Sequence, residues 1–420
     1  MPNSLRSLVA NPLIFPIYVP SVIFSFCLGL LIPVLPVYAL DFGVSYGLIG
    51  LLVAGESIGR LLGDVPAGML LRQFGQKRAM LIGLGLAILS TVALFWAGSI
   101  PEAVIYRLLT GFGAALFNIS RHAYLAEQAP LTNRGRAIAI FGGVNRIGKF
   151  MGPAVGGFVG LAYGIRAPFM VFGLIGLVAL LLVIIFDRSV EKAAGGLARP
   201  QTHHLVATIK ANSGVLATAG SGQVFAQMIR AGRDLIIPLY GADILGLDVG
   251  SIGLIVSIAG GIDMLLFYPA GLLMDRQGRK FAIVPCFLLQ AIGMALIPFT
   301  AGFTGLLAVT SLIGFGNGLG SGTMMTLGAD LAPVESRGEF LGVWRLIGDV
   351  GASGAPVAVG WIAAFLVLQT AIWTVSLAGF VSVAIFAFLV PETLHQHRAQ
   401  PSRLEPTTLT IETNPPGGKA

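Results

Sequence analysis

Charge is what this chain has least of. Of its 420 residues 11% are charged and 55% are hydrophobic, where an ordinary soluble domain carries about 25% charged residues. The mean hydropathy is +0.86. One water-exposed globule cannot hide that much apolar surface, so the chain reads as an integral membrane protein. Cysteine is nearly absent as well. Cys27 and Cys286 fall inside separate apolar runs, which excludes a disulfide framework. No P-loop with its Lys-Ser/Thr is present to cradle nucleotide phosphates, which excludes an ATP-driven pump. No His/Cys spacing suggests a metal site, no cofactor is implied, and nothing argues for an enzyme.

Long apolar runs are what the chain does have. They cover roughly 15–40, 45–71, 79–98, 102–128, 136–163, 167–186, 214–242, 249–274, 281–300, 303–331, 338–367 and 370–390, and about 20 apolar residues suffice for one crossing. The reading is an all-α polytopic protein with twelve spans. A β-barrel would show alternating segments of about ten residues instead. The first run lacks a small-residue cleavage site and is read as a retained span.

The formal charge of +7 does not point to nucleic acid once its residues are placed. Arg72, Lys77 and Arg78 follow span two, Arg134 and Arg136 follow span four, and Arg188, Lys192, Arg199 and Lys210 follow span six. Arg276, Arg279 and Lys280 follow span eight, and Arg337 follows span ten. The opposite loops hold little positive charge beyond Arg166. The positive-inside rule therefore places both termini in the cytoplasm of a cell-membrane protein.

An internal repeat organises the chain. "PAGMLLRQFGQK" begins at Pro66 and "PAGLLMDRQGRK" at Pro269, an offset of 203 residues. The same offset relates "GFG" at 111–113 to 314–316, "EQAP" at 127–130 to "DLAP" at 330–333, Arg134-Gly135 to Arg337-Gly338, and Pro153 to Pro356. The predicted organisation is two homologous six-helix bundles, 1–187 and 214–392. A polar cytoplasmic linker at 188–213 joins them, and a Pro- and Thr-rich tail at 393–420 is expected to be disordered.

These motifs give the chain a resemblance to the major facilitator superfamily over nearly its whole length. That family's loop signature, G-x-x-x-D-R-x-G-R-K, stands intact in the second half as Gly271, Asp275, Arg276, Gly278, Arg279 and Lys280. In the first half Gly68, Gly75, Lys77 and Arg78 fit, but Arg72 holds the acid position. The signature's first glycine is expected to allow close helix packing. "GKFMGPAVGG", with Gly148, Gly152, Pro153, Gly156 and Gly157, resembles the antiporter motif of the twelve-helix drug:proton exporters. "RLLTGFGAA" at 107–115 resembles the same branch's fourth-helix motif, with Arg107 in the proton-linked position, and "PVLP" at 33–36 partly matches its first-helix motif. The glycines taken alone also fit plain small-residue packing between helices.

The resemblance implies that spans one, four, seven and ten line a central cavity. Helical spacing puts Arg107, Gly111, Ala114, Asn118 and Arg121 on one stripe of span four, and Gln223, Gln227, Arg230 and Asp234 on one stripe of span seven. Asn317 and Ser321 follow on span ten, and Ser21, Ser25 and Gly29 on span one. Polar groups at such depth are costly in lipid, so each stripe faces water or protein. Such a cavity is electropositive. Glu56, about mid-membrane on span two, is the first candidate proton carrier and Asp234 the second. An isolated Glu56 carboxyl would be protonated at neutral pH, and the alternative is a Glu56–Arg60 pair within one helix.

The repeat also relates Arg60 to Asp263 and Arg146 to Asp349. Depth counted from the cytoplasmic ends, at 1.5 Å per residue, puts all four about 20 Å deep. The resemblance packs span two against eleven and span five against eight, so Arg60–Asp349 and Arg146–Asp263 are predicted interdomain pairs. Asp64 and Arg345 match at a shallower level. The expected function is proton-coupled export of small molecules by a monomer in the lipid bilayer, working by alternating access. A proton-coupled importer of a small anionic metabolite and a non-transporting membrane sensor are the alternatives.

Overall fold

The computed structural model describes residues 13–128, 134–187, 202–333 and 336–394. Among these residues all regular structure is helical. The long helices are α1 (Val19–Leu40), α2 (Tyr46–Phe74), α3 (Gln76–Ala93), α4 (Ile100–Gln128), α5 (Arg134–Tyr163) and α6 (Ala167–Phe186). A short helix, α7 (Thr202–Ala211), lies inside the stretch expected to be linker. There follow α8 (Ser213–Asp243), α9 (Val249–Gln277), α10 (Lys280–Leu296), α11 (Gly302–Leu319), α12 (Thr323–Leu331), α13 (Arg337–Phe365) and α14 (Leu368–Ala384). Eight segments of the described chain are long and apolar enough to cross a membrane. Outside that set, α2 carries Glu56, Arg60 and Asp64, and α8 carries Arg230, Arg233 and Asp234.

The outer surface is built for lipid. On α6 the large exposed side chains are Leu174, Leu177, Val178, Leu181, Ile184 and Ile185, repeats of three and four residues that make one broad helical face. In water such a face would be an aggregation hazard; in hydrocarbon it is the solvent-facing side. Prolines sit inside α1, α2, α5, α8, α9, α10 and α13. Neighbouring helices can satisfy the carbonyls that each proline releases.

Helices α1 to α6 pack chiefly on one another: α2 and α3 on α4, α1 on α5, and α3 and α1 on α6. Helices α8 to α14 repeat the scheme, with α9 and α10 on α11, α8 on α13, and α10 and α8 on α14. Two extensive contacts join the groups, α2 with α13 and α5 with α9.

The segment read as one tenth span is broken. Helix α11 stops at Leu319, Gly322 takes a left-handed φ of 80°, and α12 starts at Thr323. The glycine-rich run "GNGLGSG" makes this turn inexpensive. At the other end of the chain, Thr393 opens the stretch assigned to the tail. It is buried and donates to Asp330 Oδ2 at 2.8 Å, so order extends at least to Leu394; the tail beyond that lies outside the described residues.

Candidate functional site

A cavity of about 580 Å³ lies between the two helix groups. Its polar walls come from Glu56, Ser57 and Arg60 on α2, Asn145, Arg146 and Lys149 on α5, and Gln227, Arg230, Arg233 and Asp234 on α8. Asp263 on α9, Thr310 and Asn317 on α11, and Asp349 on α13 complete them. Ile32, Phe150, Ile237, Val256, Met264 and Ile313 supply apolar surface.

Close backbone packing positions Glu56. Gly55, Gly59 and Gly63 recur every fourth residue of α2, and each is followed by a charge. A Cβ on Gly55 would lie 2.9 Å from Arg107 Cβ, and one on Gly63 3.1 Å from Ala115 Cβ. Gly59 meets the Leu108 carbonyl, and Gly111 of α4 meets the Glu56 carbonyl. This ladder clamps α2 to α4, while the residue after each glycine, about 100° further round the helix, turns toward the other half. Glu56 therefore accepts a bond from Arg60 and lies 3.7 Å from Arg107 Nη2. It is not the isolated carboxyl considered above: Arg60 clasps it from its own helix and Arg107 from α4. Arg107 is 4% exposed, and its Nε and Nη1 have no hydrogen-bond partner.

The two predicted interdomain pairs behave differently. Arg146 Nη1 donates to Asp263 Oδ1 at 3.1 Å, joining α5 to α9, and to Ser321 Oγ at 2.7 Å. Asn317 Nδ2 donates to Asp263 Oδ2 at 2.8 Å, and Arg146 also lies over the Phe267 ring, 5.0 Å from its centroid. Asp263 thus has three helical segments around it, and the helix break supplies Ser321. Arg60 and Asp349 line the same cavity, but no ion pair joins them. Arg60 holds Glu56, and Asp349 lies 3.8 Å from Arg345 Nε one turn away on α13. The expected Arg60–Asp349 pair is therefore corrected to two within-helix pairs, because each partner has a nearer opposite charge at i, i+4. Asp64 is not paired with Arg345 either, and its Oδ1 is buried without a partner.

Other expected cavity residues are placed elsewhere. Ser25 donates to Asn145 Oδ1 at 2.7 Å, within the α1–α5 contact. Arg121 donates to Asn118 and stacks on Phe117, 5.0 Å from its centroid. Gln223 is buried against Gly348. Ser25, Asn118, Arg121, Gln223 and Ser321 are not lining residues, whereas Gln227, Arg230, Asp234 and Asn317 are. A 3.6 period fixes a face but not which part of that face meets another helix. The sequence reading missed Asn145, Lys149 and the glycine ladder of α2. The ladder's signal was present as glycine at every fourth residue.

The antiporter-like glycines form helix seams. A Cβ on Gly148 would lie 2.6 Å from the Phe26 backbone nitrogen, and one on Gly152 2.7 Å from Gly29 Cα. Gly156 meets the Leu30 carbonyl, so three glycines press α5 onto α1. Gly157 faces the other way: a Cβ there would lie 3.1 Å from Gly253 Cα, and Gly253 also meets the Pro153 carbonyl. The repeat mate of this contact joins α2 to α13, where a Cβ on Gly50 would lie 3.0 Å from Gly360 Cα and meet the Pro356 carbonyl. Both crossings are therefore closed at the end that holds residues 46 and 249. Toward the other end Gly142, Gly143, Gly338 and Gly342 meet nothing within 4 Å.

The loop signatures lie at that second end. Gly75 and Gly278, with φ of 79° and 118°, end α2 and α9. Arg279 donates to Asp275 Oδ1 at 3.1 Å and to Asp330 Oδ2 at 2.9 Å, and Lys280 Nζ to the Ala387 carbonyl at 2.9 Å. In the first half Gln76 donates to Glu127 Oε2 at 2.5 Å, and Lys77 Nζ to the Ile184 carbonyl at 3.2 Å. Arg276 is exposed. The packing expected at Gly68 and Gly271 is not formed, since neither meets anything within 4 Å. Glu392 accepts the backbone N–H groups of Arg279 and Lys280 at 2.9 and 3.0 Å. Burial alone would raise its pKa, but these bonds outweigh burial and hold it below the usual value.

Among the described residues no group of His, Cys, Asp and Glu is placed to hold a metal ion, and Cys27 and Cys286 are buried and unpaired. The sequence model described as "Major Facilitator Superfamily" matches residues 19–229 and 220–415. An uncharacterized MFS-type transporter of Methanocaldococcus jannaschii is 24% identical over 359 residues, 84% of this chain and 92% of that one. Multidrug resistance protein 2 of Bacillus subtilis is 25% identical over 317 residues, 73% of this chain and 78% of that protein. The crystal structure of a D-xylose-proton symporter superposes with a TM-score of 0.71 at 22% identity, covering 90% of this chain and 98% of the other.

Proposed function

The chain belongs to the Major Facilitator Superfamily, and from that premise we propose that it is a proton-coupled exporter of small molecules. In this reading it has twelve spans in two six-helix halves, 1–187 and 214–392, with both termini in the cytoplasm, and works by alternating access. The observation that carries the reading is Glu56, a titratable carboxylate on the cavity wall clasped by Arg60 and Arg107. Protonating Glu56 removes the charge that holds both guanidiniums. Arg60 is then free to turn to Asp349 across the cavity, which draws α2 toward α13. Asp234 is the second proton site. The antiporter-like seam of Gly148, Gly152 and Gly156 supports export over import, as does the likeness to a protein named for multidrug resistance. The basic loops mark the open end as cytoplasmic, so the cavity faces inward here.

Everted membrane vesicles test the reading. A panel of candidate compounds is added to energised vesicles, and lumenal pH is followed with uptake. Export predicts that substrate enters the lumen as protons leave. Protons and substrate moving in the same direction would establish the importer, and binding without proton movement the sensor. Glu56→Gln is expected to bind substrate and lose coupling to the pH gradient. If that variant still concentrates substrate, Glu56 has only a structural role.

A further inference from the structure

The charges around the cavity do not balance. Five cations line it, Arg60, Arg146, Lys149, Arg230 and Arg233, against four carboxylates, Glu56, Asp234, Asp263 and Asp349. Every one of those carboxylates already has a guanidinium: Arg60 for Glu56, Arg233 for Asp234, Arg146 for Asp263, and Arg345 for Asp349. Two lining cations make no ion pair with a carboxylate among the described residues. Lys149 projects exposed from α5, on the Glu56 side, where Arg60 and Arg107 already surround the one acid. Arg230 projects from α8 on the other side. It is held by the Gly320 carbonyl at 3.2 Å, exposed by the break between α11 and α12, and by the Phe287 ring at 5.0 Å from its centroid. Its Nε is buried without a hydrogen-bond partner. The guanidinium of Arg230, with its Nε shut away from water, is the costlier of the two until an anion joins it.

We propose that the transported substrate is an amphipathic monoanion whose acidic group docks between Lys149 and Arg230. Its apolar body lies on the surface formed by Phe150, Ile237, Val256 and Ile313. This rests on the cavity being the transporter's substrate site, and it names the class of substrate that site takes. With Arg345 counted beside its partner Asp349, two cations are left over, and the two oxygens of a single acidic group can accept from both. A second acidic group would compete with Asp234 and Asp263 for guanidiniums they already hold. A cationic drug would meet both unbalanced cations head on.

The test is a binding measurement on the purified full-length chain in detergent, which reads neither direction nor coupling and so fails independently of the export reading. Three probes share one apolar body: 2-naphthoate, neutral 2-naphthamide, and the cation (2-naphthylmethyl)trimethylammonium. Calorimetry is expected to give naphthoate the tightest binding, by about tenfold or 1.4 kcal/mol over the other two. Lys149→Gln and Arg230→Gln are each expected to remove that advantage, while Lys149→Arg, which keeps the charge, retains it. Monodisperse elution of each variant checks that it is folded. Absence of naphthoate binding, a cation bound as tightly as the anion, or charge-removing variants that keep the preference would each overturn the proposal.

Discussion

Helices α2 and α9 stand at the same place in the repeat, one opening at Tyr46 and the other at Val249, 203 residues apart. At matched positions each meets a glycine of its neighbour, Gly111 on the carbonyl of residue 56 and Gly314 on that of residue 259. The backbones match, but the chemistry laid on them does not. The first half has Glu56 facing Arg107; the second has Ala259 and Thr310 at the equivalent positions. In return, the second half has Asp263 engaged across the molecule by Arg146, while its mate Arg60 stays on its own helix. The scaffold is symmetric and the charges are divided. One crossing, α5–α9, is fastened by the Arg146–Asp263 pair. The other, α2–α13, holds its charges apart and has Glu56 beside them. On the proposed role of Glu56, a proton arriving there is expected to move the α2–α13 crossing and leave α5–α9 in place.

The comparison breaks most severely at Arg107. Arg107→Ala leaves Glu56 with one partner, and proton-driven uptake into everted vesicles is expected to fall to background while expression and monodispersity persist. The double variant Glu56→Ala/Arg107→Thr makes the first half resemble the second. It is expected to bind substrate and show no response to a pH gradient; retained coupling would move the proton site to Asp234.

Next in size is the fastened crossing. Asp263→Asn removes the charge facing a part-buried Arg146 and is expected to cost about 3 kcal/mol, read as a lower thermal midpoint. The unfastened crossing responds differently in this state. Asp349→Asn is expected to lower stability little but to slow transport. Charge reversal at Arg60 or Asp349 is expected to abolish uptake into everted vesicles, and the double reversal to restore part of it.

The smallest difference is at the helix starts. Asp248 caps α9 through the Ser251 N–H at 2.9 Å, whereas Ser45, its mate at α2, makes no capping bond. Asp248→Ala should cost about 1 kcal/mol and Ser45→Ala close to nothing. The Ser251 N–H holds the Asp248 pKa below its ordinary value. Its folded pKa is lower than its unfolded one, so the contribution is complete above roughly pH 4 and disappears as pH falls through the folded value. A denaturation series across that range, repeated on Asp248→Ala, reads it directly.

The offset of 203 residues made the pairing of positions legible, and with it the Arg146–Asp263 pair. Counting 1.5 Å per residue gives a depth, and depth was enough where a charge had no competitor on its own helix. At Arg60 it was not enough, because Glu56 lies one turn away and a long guanidinium reaches either carboxylate. The stripes on spans four and seven had the same weakness: they marked polar faces without saying which part meets a neighbour, so Arg121 and Gln223 turned out to pack between helices. The break at Gly322 was written in "GNGLGSG", but a hydropathy run reads straight across it.

The bonds made by the two lysines of the loop signatures, Lys77 and Lys280, differ in kind from the side-chain bonds beside them. Asp275 and Arg279 bond each other in one half; in the other the same two positions hold Arg72 and Gln76. Both ends of that side-chain bond differ between the halves, while the second bond made from this position, Arg279 to Asp330 Oδ2, has its counterpart in Gln76 to Glu127 Oε2. Lys77 and Lys280 kept their bonds, each to a main-chain carbonyl at the end of its half, Ile184 and Ala387. Every residue type supplies that oxygen. A contact made to it tolerates substitution of the residue it reaches, so the lysine staples are indifferent to side-chain identity where the acid–arginine pair beside Lys280 is not.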